Sequence, residues 1–97
     1  MRITIKGKSY LMGCNDGNGF HSWNFDEFFI TGNFDDRSSW RVEELGDLDD
    51  WGAEEIVAEY TGSRAISIIG RLAKRYRLNG LAAESENGGK FLTFGFR

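Results

Sequence analysis

No proline interrupts this chain of 97 residues, and it holds one cysteine and one histidine. Without proline, long unbroken elements are open to it. A lone Cys14 excludes an internal disulfide and fits a reducing compartment. The N-terminal MRITIKGKSY carries charge with no apolar stretch behind it, so no signal peptide is expected. No apolar run approaches the length of a membrane span. The expectation is a cytoplasmic protein of one domain over residues 1–97, with no membrane partner.

Catalytic and metal signatures are equally scarce. Cys14 and His21 cannot supply the roughly four ligands of a zinc site; a loop cysteine and a surface histidine are expected instead. NDGNG lacks the alternating ligands and closing Glu of a calcium loop. GCNDGNG is followed by no Gly-Lys-Ser/Thr, so it is no phosphate loop. Ser38 and Ser39 have no evident base. Adjacent carboxylates such as Asp49–Asp50 suit acid–base chemistry only when one sits in a cleft with a shifted pKa. No enzyme activity and no cofactor are expected.

What the chain does have is aromatic residues and acid. Eight Phe and three Trp give it a large apolar content for its length. Charge is divided unevenly. Residues 1–60 carry five basic and thirteen acidic side chains, whereas residues 61–97 carry seven basic and two acidic. The acid concentrates in EELGDLDDWGAEE (43–55), where seven of thirteen residues are carboxylates. Like charges at this density repel and cost folding stability, so a partner of opposite sign is one reason to keep them.

Residues 2–12 read as a strand pair or one bent strand with Gly7 able to turn the chain. Residues 13–19 read as a loop, and the aromatic run 20–34 as strand, closed by a turn at TGN. SSWRVEEL (38–45) predicts a short helix capped by Ser38 or Ser39. WGAEEIVAEY (51–60) predicts a second, capped by Asp49 or Asp50 and stopped at Gly62. Ser63 is the expected cap of the clearest helix, 64–79, which ends at Gly80. Ile66, Ile69, Leu72, Ala73 and Tyr76 form its apolar stripe. Residues 81–97 read as a hairpin around Asn87–Gly88, with Leu92, Phe94 and Phe96 on one face. The expected class is α+β: an antiparallel sheet from the N-terminal strands and C-terminal hairpin, with two or three central helices packed on one face.

On this reading the carboxylate pairs at 35–36, 43–44, 49–50 and 54–55 are spaced by helical turns into a row of negative points. Duplex DNA is also such a row, with one charge per ~1.7 Å of axis. The candidate partner-binding residues are Asp35, Asp36, Trp40, Glu43, Glu44, Asp47, Asp49, Asp50, Trp51, Glu54 and Glu55. The two tryptophans would be the apolar anchors that binding hot spots favour.

A small, proline-free chain with the acidic block DDRSSWRVEELGDLDDWGAEEIVAE and no catalytic motif resembles the anti-CRISPR proteins of bacteriophages, in particular the DNA-mimicking inhibitors of type I effector complexes. That resemblance implies a phage or prophage origin. It also implies a direct protein–protein contact, in the bacterial host cell, that blocks target DNA without the inhibitor itself binding DNA. Residues 54–97 separately resemble a winged helix-turn-helix: a short helix, a Gly-containing turn, a basic helix and a hairpin wing. This alternative implies DNA contacts from Arg64, Arg71, Lys74, Arg75 and Lys90.

Overall fold

The computed structural model describes residues 1–85 and 88–95. Among them are nine strands and one helix, so the protein is mostly β and the expected set of two or three helices on one antiparallel sheet is not formed. β1 (Arg2–Ile5) and β2 (Lys8–Met12) make an N-terminal hairpin. Its turn residues Lys6 and Gly7 both have positive φ, the geometry that matches strand twist. β3 (Cys14–Gly17), β4 (Phe20–Phe25), β5 (Phe28–Asn33), β6 (Asp36–Leu48) and β7 (Glu54–Thr61) follow as a five-stranded antiparallel meander in chain order. Then come helix α1 (Gly62–Arg75), β8 (Gly80–Glu84) and β9 (Phe91–Gly95).

The two chain ends meet in a second sheet of order β1-β2-β8-β9, but β2 pairs with β8 in parallel, so this sheet is mixed. The return from α1 is anchored at Asn79. Its backbone N–H donates to the Ser9 carbonyl at 2.7 Å, and its side-chain oxygen accepts the Ser9 N–H at 3.0 Å.

The two helices expected at 38–45 and 51–60 are instead β6 and β7. Their sequences contain strong helix formers, Glu, Leu and Ala, yet Trp40 and Val42 alternate with polar residues. Pairing them beside Ile30 and Trp23 buries all four, and that burial outweighs local propensity. Ser38 and Ser39 cap no helix; they stitch the β5–β6 junction. Ser39 Oγ accepts the Asn33 N–H at 2.8 Å, and Ser38 donates its N–H and hydroxyl to Asp36 Oδ1. Thr31–Gly32–Asn33 belong to β5, and the chain turns after them. Cys14–Gly17 is a strand rather than a loop, paired to β4 with a register shift. The winged-helix unit is likewise not formed, because residues 54–61 pair as a strand and leave α1 with no preceding helix.

α1 starts and stops earlier than the sequence predicts. Thr61, in extended conformation, is its N-cap residue, and Ser63 lies inside the first turn. The helix ends in a Schellman arrangement: Leu78 donates to the Ala73 carbonyl at 2.7 Å and Arg77 to that of Lys74 at 3.2 Å. Arg77 takes the left-handed position at φ +58, and Gly80 opens β8. Of the stripe, Ile69, Leu72 and Ala73 are buried, and Ile66 and Tyr76 pack at its margin.

One core joins the three parts. Trp23, Phe25, Ile30, Trp40 and Val42 come from the five-stranded sheet, Ala65, Ile69 and Leu72 from α1, and Leu81 and Ala83 from β8. The chain crosses from one sheet to the other at Gly13, whose N–H donates to the Ala82 carbonyl at 2.8 Å. A Cβ there would overlap the Trp23 indole and the Ser22 carbonyl. Leu92 pairs with Ala83 and Phe94 with Leu81 across β8 and β9; the expected turn at Asn87 and the third aromatic position, Phe96, lie outside the described residues. No helix among the described residues is long and apolar enough to cross a membrane.

Candidate partner-binding site

Trp40 is not available to a partner. It is 0% exposed, stacks on Trp23 with centroids 5.5 Å apart, and meets Phe94 at 4.6 Å. The alternation that makes it core also places Arg41 and Glu43 on the opposite face of the sheet. There Arg41 bonds Glu59 at 2.8 Å and lies 3.7 Å from Glu43. These exposed pairs are worth about 0–1 kcal/mol each.

The other acidic candidates lie along the β6–β7 hairpin and at its ends. Asp35 and Asp36 are exposed where β5 turns into β6. Asp47, Asp49, Asp50, Glu54 and Glu55 are exposed around the far end of the hairpin. Because neighbours on a strand point to opposite faces, the pairs 43–44 and 54–55 are split between the two faces. The helical row of charges expected from the sequence is therefore replaced by a ribbon that is negative on both sides.

Asp49 organises the tip. Its side-chain oxygen accepts the N–H of Trp51 at 2.8 Å and of Ala53 at 2.9 Å. Its own N–H donates to the Ala53 carbonyl at 2.7 Å, and its carbonyl accepts the Gly52 N–H at 3.1 Å. Gly52 adopts φ +81, which a residue with a Cβ rarely takes. Of the two residues expected to cap, Asp49 or Asp50, it is Asp49 that bonds the backbone, but it closes a hairpin turn rather than opening a helix. The result is a well-bonded turn that holds Trp51 94% exposed.

Sequence reasoning missed the apolar residues beside it. Leu48, Ile56 and Val57 are all exposed near the tip. Leu45 pairs with Ile56 and Leu48 with Glu54, across two register shifts. Their signal was the apolar residues left between the acids in LGDLDDWGAEEIV, which a helix reading assigns to a buried stripe.

At the base of the hairpin a cleft of about 260 Å³ opens between the sheet and α1. Phe28, Tyr60, Ile68 and Leu72 line it, with Glu44, Arg71 and Arg75 at its polar margin. The helix cations Arg64, Arg71, Lys74 and Arg75 are exposed, and none forms an ion pair among the described residues. Lys90 is exposed beside β9. Lys74 and Arg75 also suit the negative C-terminal end of the helix dipole.

His21 is buried at 1% exposure, not on the surface. Its Nε2 lies 3.2 Å from the Glu84 carbonyl, and Phe34 packs edge-on to its ring. Cys14 is exposed on β3. Among the described residues no group of three or more His, Cys, Asp or Glu is placed to hold a metal ion. Among the described residues Tyr76 is the one group clearly perturbed: the hydrogen bond from its hydroxyl to Asp26 Oδ2, at 2.7 Å, raises its pKa above 10.0, and partial burial and the Asp26 charge add to the effect. Compared with known protein families, curated proteins and solved structures, the chain matches none.

Proposed function

We propose that the chain is a non-enzymatic inhibitor, phage-encoded and acting in the cytoplasm of a bacterial host. In this reading its acidic β6–β7 hairpin occupies the basic channel of a nucleic-acid-handling complex, a type I CRISPR–Cas effector being the candidate. The observation that carries the reading is the hairpin itself. It gathers seven carboxylates within 43–55 around a bonded turn, and among the described residues only Glu43 of the seven forms an ion pair.

Such a ribbon suits a groove lined with Lys and Arg. Side chains on one face of a strand recur every ~6.6 Å, and two strands lie ~4.8 Å apart. The hairpin therefore offers two close rows of negative charge on a scaffold narrow enough to enter a channel built for a nucleic-acid strand. Trp51 and its apolar neighbours supply contact area that bare charge lacks. Binding would block target DNA by occupancy and would weaken with salt.

The test is competition. With a purified effector, added protein should raise the apparent Kd for target duplex. The variant carrying Asp49→Lys, Asp50→Lys, Glu54→Lys and Glu55→Lys should lose this effect while keeping its circular dichroism spectrum. All four positions are exposed and outside the core; of them only Asp49 has a structural role, in the turn, so the fold away from the tip should persist. Undiminished inhibition by that variant would sink the reading.

A further inference from the structure

We infer that the protein self-associates, with Trp51 at the hairpin tip of one copy seating in the cleft beside Arg71 and Arg75 of a second copy. The inference goes beyond the inhibitor reading and does not depend on it. Both halves of the contact are on this one chain, and neither is satisfied within it.

The first half is the tip. Trp51 is 94% exposed, with Leu48, Ile56 and Val57 exposed nearby, and the Asp49 bonds hold its backbone in place. An ordered turn that presents a bare indole has already lost the entropy that a flexible loop would lose on docking. Asp49 and Asp50 flank it with negative charge.

The second half is the cleft. Its floor is apolar, formed by Phe28, Tyr60 and Leu72, and at about 260 Å³ it has room for one indole. Arg71 and Arg75 stand one helical turn apart at its margin, against a single carboxylate, Glu44. Its local charge is therefore positive where that of the tip is negative. Arg over an indole face adds a cation–π attraction. The charge imbalance between the two halves of the sequence becomes a match between two surfaces that one molecule cannot bring together. The cleft lies at the base of the hairpin and the tip at its end, about 20 Å along six or more strand residues.

That separation favours reciprocity. Two copies related by a two-fold axis, with hairpins antiparallel, can each place a tip at the other's cleft. The contact is then made twice and the assembly is closed, as in most homo-oligomers.

Sedimentation velocity at low salt, over a concentration series, tests this. The parent should sediment as a dimer, and Trp51→Ala as a monomer. Asp50→Arg with Glu54→Arg should be monomeric, and so should Arg71→Glu with Arg75→Glu; Asp49, whose bonds hold the turn, is left in place. Combining all four reversals in one chain should restore the dimer. All these positions are exposed, and circular dichroism confirms folding of each variant. A parent that stays monomeric up to roughly 1 mM overturns the inference and leaves an unrelated protein as the occupant of the tip. So does a Trp51→Ala variant that still dimerises, or a four-fold reversal that fails to recover. Binding to an effector is absent from every arm, so this result and that of the competition assay are read independently.

Discussion

The Trp23 indole N–H donates to the Ala82 carbonyl at 3.0 Å and so ties the five-stranded sheet to the four-stranded one. The same N–H lies 3.1 Å from the Leu11 carbonyl. The neighbouring Trp40 stacks on Trp23 but finds no hydrogen-bond partner for its own buried N–H among the described residues.

The two tryptophans should therefore differ under the same substitution. Trp23→Phe loses ring volume and a bond between sheets, and should cost about 2–4 kcal/mol. Trp40→Phe loses volume but also removes an unpartnered donor, and should cost less, about 1–2 kcal/mol. Urea titration of both variants decides it; equal costs would mean that the Trp23 bond contributes nothing.

Gly13 should tolerate no side chain. The added methyl of Gly13→Ala would meet the Trp23 indole, which its hydrogen bonds hold in place, and the Ser22 backbone, which cannot rotate away. A loss of about 1–3 kcal/mol is expected from this overlap. Thermal unfolding read by circular dichroism would show it as a lowered Tm.

Asp49→Ala should loosen the tip without unfolding the protein. Two side-chain bonds of the turn disappear, yet the site is exposed and far from the core. Global stability should fall by no more than about 1 kcal/mol. Hydrogen exchange at the Trp51 and Ala53 amides should rise well beyond that of β4 and β5 amides. Unchanged exchange at those two amides would assign the order of the turn to the backbone bonds alone.

Tyr76 should titrate above 10.0, because its hydrogen bond to Asp26 favours the neutral phenol. The linkage sign follows. The unfolded chain loses this proton at lower pH than the folded one, so the contribution is complete below 10.0 and is lost as pH rises through the folded value. Tyr76→Phe should flatten the alkaline limb of a stability–pH curve. Asp26→Gly, which keeps the positive φ of 42 that the β4–β5 turn requires, should move the tyrosinate absorbance midpoint back toward the ordinary value.

Elements set by short-range pattern could be seen in the sequence. The helix was visible because Ile66, Ile69, Leu72 and Ala73 repeat at its period, and β4 because Trp23 and Phe25 alternate between polar neighbours. β6 and β7 were not. Glu43, Glu44, Glu54 and Glu55 favour helix locally, and only the neighbouring β5, which offers Ile30 and an open edge, converts Trp40 and Val42 into a buried strand face.

The sequence by itself determined that acid and base sit in different halves of the chain, that Asp49 or Asp50 would bond nearby backbone, and that a helix would form within residues 64–79. Only the tertiary structure decided that Trp40 is core while Trp51 is bare, that the acidic pairs divide between two faces of a ribbon, and that Arg71 and Arg75 border an apolar cleft. These depend on strand register and on a parallel pairing between residues about 70 positions apart, of which Tyr10 with Gly80 is one. A one-residue slip would reverse which side chains are buried, and such long-range pairing leaves no local pattern in the chain.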